Sequence, residues 1–196
     1  MSSSTKEKLM QAAGKLFAER GYDATSVRDI CLEAGVNIAS VNYHFGDKRS
    51  LYRAVIEWGA SESPSFRHPP GEGTPEERLH HLILHALEDI FETREATLVI
   101  AREFLDPPDD MIEVLKAPMT SHFQSVLDLF DELSERRLGD LELHMAVMSL
   151  MAQLQYYRVS HKFIPHVIGH ERNEQLTVPV LAEHITQWTI SSLRRS

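Results

Sequence analysis

Cysteine is almost absent: Cys31 is the only one in 196 residues. A single thiol excludes an intrachain disulfide and a cysteine-based zinc site. Long apolar runs are missing too. No stretch of 18 consecutive apolar residues occurs, so no membrane-spanning helix is expected. The opening Met-Ser-Ser-Ser-Thr-Lys has no apolar segment of the kind a secretory signal carries, and the expected compartment is the cytoplasm. Strand signals are lacking: alternating apolar and polar runs do not occur, nor does an Asn-Gly or Asp-Gly hairpin turn. There is no Gly-x-Ser-x-Gly elbow, no His-Glu-x-x-His and no Walker loop. No catalytic residue is assigned, and an enzyme is not expected.

What remains is a globular composition, 42% hydrophobic and 25% charged, with a formal net charge of −9. The charge is unevenly spread. Residues 1–60 hold 8 Lys/Arg against 7 Asp/Glu, while residues 61–196 hold 12 against 22. Only the first segment can approach a polyanion without repulsion.

Apolar residues recur at helical spacing throughout. Ser4-Thr5-Lys6-Glu7 is a capping box, and Leu9, Ala13, Leu16 and Phe17 then share one face. Thr25 or Ser26 can cap a second helix with Val27, Ile30, Cys31 and Ala34 inside, ended by Gly35. Asn37 caps a very short third helix with Val41 and Phe45 turned inward, and Asp47 caps a fourth with Leu51, Val55 and Trp58 inside. Residues 61–74 are rich in Pro and Gly and read as a loop. Longer helices follow over about 75–93, 96–105, 110–134, 140–161 and 178–193, with Pro118 expected to kink the third of them. Residues 165–174 read as a loop.

The third helix carries the chemistry. Asn37, Ala39, Ser40, Asn42, Tyr43 and His44 point away from Val41 and Phe45, and none is acidic. Small residues allow close approach, and the others can hydrogen-bond to base edges and phosphates. Thr25, Ser26 and Arg28 stand at one helix N-terminus and Lys48 at the next, where backbone N–H groups and cations favour phosphate. On periodicity alone the same pattern also fits a three-helix knot whose polar residues are merely solvated.

The stretch from Gly21-Tyr22-Asp23-Ala24-Thr25-Ser26 to Val41-Asn42-Tyr43-His44-Phe45-Gly46-Asp47-Lys48 resembles the DNA-binding domain of TetR-family transcriptional regulators, without gaps over about residues 5–55. The resemblance implies an all-α fold: a helix-turn-helix DNA-binding domain over 1–50 and a larger helical ligand-binding and dimerisation domain over 51–196. It implies phosphate contacts, and sometimes base contacts, for Thr25, Ser26 and Arg28. Asn37, Ile38, Ala39, Ser40 and Asn42 match the base-reading surface, and Tyr43, His44 and Lys48 match phosphate contacts. Many members carry an aromatic where Asn42 stands; Asn can bond an adenine edge in bidentate fashion.

Further on, Ala101-Arg102-Glu103-Phe104-Leu105-Asp106-Pro107-Pro108 and Gln153-Leu154-Gln155-Tyr156-Tyr157-Arg158 resemble the C-terminal domain of the CecR (CerR) subgroup, whose members are repressors. The implied partners are a palindromic double-stranded operator, a second copy of the chain joined through the last two long helices, and a small-molecule effector; no cofactor and no membrane are implied. The wide apolar arcs of Met145, Met148, Leu150, Met151 and Leu154, and of Val180, Leu181, Ile185, Trp188, Ile190 and Leu193, permit the dimer or a monomer's core. A two-fold dimer would set its recognition helices roughly 34–36 Å apart. Candidate effector contacts are Arg102, Glu103, Phe104, Met111, Phe123, Gln153 and Tyr156; Arg102 and Glu103 equally fit a mutual ion pair. His81/His85 and His166/His170 have i, i+4 spacing, but no Cys or carboxylate completes a metal site there, and none is assigned. A regulator without an effector, and an interaction module with no DNA role, are the remaining alternatives.

Overall fold

Ser4 opens the fold as its spacing from Glu7 predicts. Its hydroxyl accepts the Glu7 N–H at 3.2 Å, and the Glu7 carboxylate accepts the Ser4 N–H at 3.0 Å. This capping box starts α1, Thr5–Arg20. The computed structural model describes residues 4–62, 72–91, 99 and 107–195, and every described element is helical. After α1 come α2 (Val27–Ala34), α3 (Ala39–Phe45) and α4 (Lys48–Glu62). Then follow α5 (Pro75–Phe91), α6 (Asp109–Leu133), α7 (Asp140–Ser160), α8 (Ile164–Ile168), α9 (His170–Gln175) and α10 (Val178–Arg195). The short helix expected over 96–105 lies, apart from Val99, outside the described residues. Among the described residues no helix is long and apolar enough to cross a membrane.

The chain divides into two compact units. One comprises Met1–Ser63 with Thr93–Ala117, the other Pro64–Glu92 with Pro118–Ser196. The division falls at Pro118 inside α6, where the missing N–H removes a helical hydrogen bond.

In the first unit, Leu9, Ala13, Leu16 and Phe17 of α1 are buried together with Ile30 and Cys31 of α2, Val41 of α3, and Leu51, Tyr52, Val55 and Ile56 of α4. A Cβ on Gly14 would stand 3.6 Å from a Val55 methyl, so α1 and α4 pack closely there. The turn between α2 and α3 is set at Gly35, whose φ of 64° is the left-handed conformation. The Val36 N–H then reaches back to the Cys31 carbonyl at 3.0 Å and closes the end of α2. Phe45 and Trp58, both expected inside, are only half-buried. Phe45 ends α3 just before Gly46, and the Lys6 ammonium lies 5.9 Å from its ring centre.

In the second unit, one core gathers Leu79, Ile83, Leu87 and Ile90 of α5, Val126 and Phe130 of α6, Val147, Leu150 and Leu154 of α7, and Leu181, Ile185 and Leu193 of α10. The segment read as a loop over 165–174 is instead two short helices. Pro165 fits the first turn of α8, where its missing N–H leaves no hydrogen bond unmade, and Gly169, at φ 89°, separates α8 from α9. Most ion pairs of this unit are partly exposed and contribute little. One is not: Arg158 on α7 places a guanidinium nitrogen 3.9 Å from the Asp89 carboxylate on α5, with side chains only 16% and 0% exposed. Burial lowers the Arg158 pKa, and the Asp89 charge opposes that shift.

Asp89→Ala leaves the buried guanidinium without this carboxylate and should destabilise the protein by about 3–5 kcal/mol in urea unfolding. Asp89→Leu combined with Arg158→Met should recover most of that loss. A double variant as unstable as the single one would mean that the cost comes from lost packing and not from an uncompensated charge.

Candidate nucleic-acid interface

α3 has seven residues and buries only Val41 completely. Ser40 and Phe45 are half-buried, and its remaining side chains are left to solvent. Asn37 caps it: its side-chain oxygen accepts the Ala39 N–H at 2.9 Å, and its carbonyl accepts the Ser40 N–H at 2.9 Å. Ile38 is 54% exposed and Tyr43 85% exposed. Ala39, Asn42 and His44 are also exposed, and Ser40 is half-buried. Tyr43 and His44 meet edge to face with ring centres 4.9 Å apart. The result is a protruding acid-free ridge with amide, hydroxyl, phenol and imidazole groups, a chemistry suited to base edges and phosphates.

The flanks are cationic, and the acids beside them are occupied. Ser26 caps α2. Its hydroxyl accepts the Asp29 N–H and donates to the Asp29 carboxylate at 2.6 Å. The hydrogen bonds that the Ser26 hydroxyl and then the Ser26 N–H donate to the carboxylate hold the Asp29 carboxyl below its ordinary value. Ser26 thus keeps an exposed position, but its proton belongs to the cap. Arg28, two residues on, is exposed. Asp47 caps α4 by accepting the Ser50 N–H at 2.7 Å, and its pKa is lowered by that bond. Lys48 and Arg49 follow, both half-buried, with Lys48 Nζ 4.1 Å and the Arg49 guanidinium carbon 5.2 Å from the Tyr22 ring centre. Arg49 and Tyr22 were not among the expected residues. Arg49 had a signal, a second cation directly after Lys48; Tyr22 had none, because its ring reaches these cations only through the packing of α1 against α4.

Thr25 departs from expectation. It is 1% exposed, and its hydroxyl is 3.2 Å from the Leu16 carbonyl and donates to the Gly21 carbonyl at 2.8 Å. A hydroxyl committed to two buried carbonyls ties the end of α1 to the start of α2 and does not face a phosphate.

The expected effector residues divide between the two units. Met111 is buried and belongs to the first unit. In the second unit Phe123 is half-buried, its ring centre 5.8 Å from that of His144. Gln153 lines an open groove of about 380 Å³ with Met145, Ser149 and Trp188, while Tyr156 is exposed. The reason is the helical period. α7 turns Leu150 and Leu154 into the core, so Gln153 and Tyr156 are rotated off that face. Arg102, Glu103 and Phe104 lie outside the described residues. Among the described residues no cluster of three or more His, Cys, Asp or Glu side chains could hold a metal ion. His85 faces Glu88 at 3.0 Å, and the His166 and His170 rings are 5.8 Å apart.

Two helices joined by a glycine turn, the second presenting a hydrogen-bonding ridge flanked by cations, define a helix-turn-helix DNA-binding protein. Comparison with known proteins agrees. Residues 9–55 match the bacterial regulatory proteins of the tetR family, and residues 75–194 match the C-terminal domain of the HTH-type transcriptional dual regulator CecR. The probable HTH-type transcriptional regulator YttP of Bacillus subtilis is 24% identical over 208 residues, spanning 99% of this chain and 96% of that one. The HTH-type transcriptional repressor Rv3405c of Mycobacterium tuberculosis is 34% identical over 147 residues, spanning 74% of this chain and 66% of the repressor. The crystal structure of AibR in complex with isovaleryl coenzyme A and operator DNA superposes with a TM-score of 0.71 at 17% identity, over 96% of this chain and 97% of that one. The chain belongs to the TetR family, with a CecR-type C-terminal domain. It is a transcriptional regulator of a non-enzymatic, DNA-binding family.

Thr25→Val should lower the melting temperature by a few degrees, since the Gly21 carbonyl loses a hydrogen bond worth about 1 kcal/mol. DNA affinity measured well below the transition should stay within about twofold of wild type. A loss comparable to that of Arg28→Ala would place Thr25 at the DNA after all.

Proposed function

We propose that this regulator is a repressor that binds a palindromic operator as a homodimer and leaves it when a small molecule binds its C-terminal part. The observation that carries the reading is the pairing of two exposed surfaces. One is the acid-free ridge of α3. The other is an apolar band on the two long helices of the CecR-type region. Met145 and Met148 on α7 are 54% and 59% exposed, and Trp188 on α10 is 63% exposed. The opposite faces of the same helices are already filled by Leu150, Leu154, Leu181 and Ile185. A helix apolar on both sides is suited to a core on one and a partner on the other. A second copy of the chain is the partner whose two-fold symmetry would present two α3 helices to a palindrome.

In this reading residues 1–50 meet DNA and residues 51–196 serve dimerisation and the effector. Ile38, Ala39, Ser40 and Asn42 read bases; Arg28, Tyr43, His44 and Lys48 hold phosphates; Asn37 and Ser26 act through their caps. Repression is supported by the name of the mycobacterial relative, and an effector by AibR, described with both a ligand and operator DNA. Met111, Phe123, Gln153 and Tyr156, with Arg102, Glu103 and Phe104, remain the effector candidates. The site of action is the cytoplasm, where the operator is.

The test is selection of bound genomic fragments by the purified protein, followed by footprinting and a salt titration. A protected palindrome with steep salt dependence is expected. Asn42→Ala should lose about 1–3 kcal/mol and relax the sequence preference at one position in each half-site. Met148→Glu with Trp188→Glu should yield a folded monomer by sedimentation that no longer protects both halves. A dimer that survives this change would remove α7 and α10 from the interface.

A further inference from the structure

Tyr22 lies in the turn between α1 and α2, close in sequence to Phe17 and far from the Lys48, Arg49 and Tyr52 that it also meets. Its ring centre is 4.8 Å from that of Tyr52 and 6.0 Å from that of Phe17, and Phe17 and Tyr52 meet edge to face at 4.7 Å. Phe17 and Tyr52 are both buried. The ring is thus held from behind by the core of the first unit. The Lys48 ammonium and the Arg49 guanidinium lie 4.1 Å and 5.2 Å from its centre, and Arg49 is also 5.9 Å from the centre of Tyr52.

The chemistry of the partner matters. A carboxylate would orient a lysine but neutralise it, and a phosphate would have to displace that carboxylate. An aromatic face attracts the cation through its quadrupole and takes up none of the charge. Lys48 makes no ion pair or hydrogen bond among the described residues, so its three N–H donors stay available. The nearest acid in sequence, Asp47, is occupied by the Ser50 N–H. Long flexible cations normally lose conformational freedom on meeting DNA; two cations already stacked on a fixed ring lose less.

We propose that Tyr22 is a positioning residue for the DNA backbone: its ring, braced by Phe17 and Tyr52, holds Lys48 and Arg49 charged and pre-set beside α3 for the phosphates that flank the recognition helix. This rests on the reading of α3 and Lys48 as the DNA-facing surface given above. The partner is the sugar-phosphate backbone of a duplex and not its base sequence, so the contribution is the same on any DNA.

The experiment measures binding of the full-length protein to a random-sequence 30-base-pair duplex across a salt titration, so it does not depend on knowing the operator. Tyr22→Phe keeps the ring and should bind like wild type. Tyr22→Leu should weaken binding by about 3–10-fold and flatten the dependence of affinity on salt by up to about one phosphate contact. In a Lys48→Met/Arg49→Met background the same Tyr22→Leu change should have no further effect. Wild-type affinity in Tyr22→Leu, or an equal loss in the background lacking both cations, overturns the proposal, the latter because the ring would then act on packing alone. If Lys48→Met/Arg49→Met itself binds duplex like wild type, the DNA-facing reading fails and the positioning role with it. Should Tyr22→Leu unfold, fluorinated phenylalanines at position 22 keep the shape and weaken the ring face stepwise. Affinity should fall with each fluorine; affinity unchanged across the series overturns the proposal.

Discussion

A seven-residue helix cannot hold its shape alone in water, and the proposed DNA-reading surface depends on α3 keeping its shape. Three local devices and one long-range contact hold it. The left-handed Gly35 ends α2, the Asn37 side chain begins α3, and Gly46 ends it. Val41, fully buried, is the single peg that enters the core. With Val41 as the peg and Phe45 and Ser40 half-buried, Ala39, Asn42, Tyr43 and His44 are free to face outward. The weakness of α3 as a helix and its fitness as a reading surface have the same origin.

The charges follow a consistent plan. Near α3 each acid is engaged in a cap, Asp29 with Ser26 and Asp47 with Ser50. Lys48 is not neutralised in turn, since its ammonium rests on an aromatic ring. All of the chain's acidic excess lies beyond residue 60, outside the segment proposed to meet DNA. In the second unit the logic reverses. There a largely buried charge pair, Asp89 with Arg158, ties α5 to α7, while Met145, Met148 and Trp188 leave α7 and α10 with exposed apolar surface.

Much of this was legible in the residues themselves. Ser4 with Glu7, Gly35, Asn37 and Asp47 act within a few residues of their own position, so spacing alone revealed their roles. The apolar periodicity of α5 likewise marked its inner face. Misreadings arose where a residue's partner is distant or its neighbourhood is unusual. Thr25 looks like a cap in sequence, yet its hydroxyl reaches back nine residues to Leu16. Pro165 and Gly169 look like loop residues, yet each fits an end of a short helix.

The sequence by itself determined the helices, their caps, the helix-turn-helix and the family, because these depend on backbone hydrogen bonds and side-chain spacing over one or two turns. Only the tertiary structure decided which polar groups are available. It buried Thr25, set Lys48 and Arg49 on Tyr22, paired Asp89 with Arg158, and split the apolar arcs of α7 and α10 into a filled face and an open one. Those outcomes depend on contacts between residues far apart in the chain, where a side chain's environment is set by what packs against it and not by its neighbours in sequence.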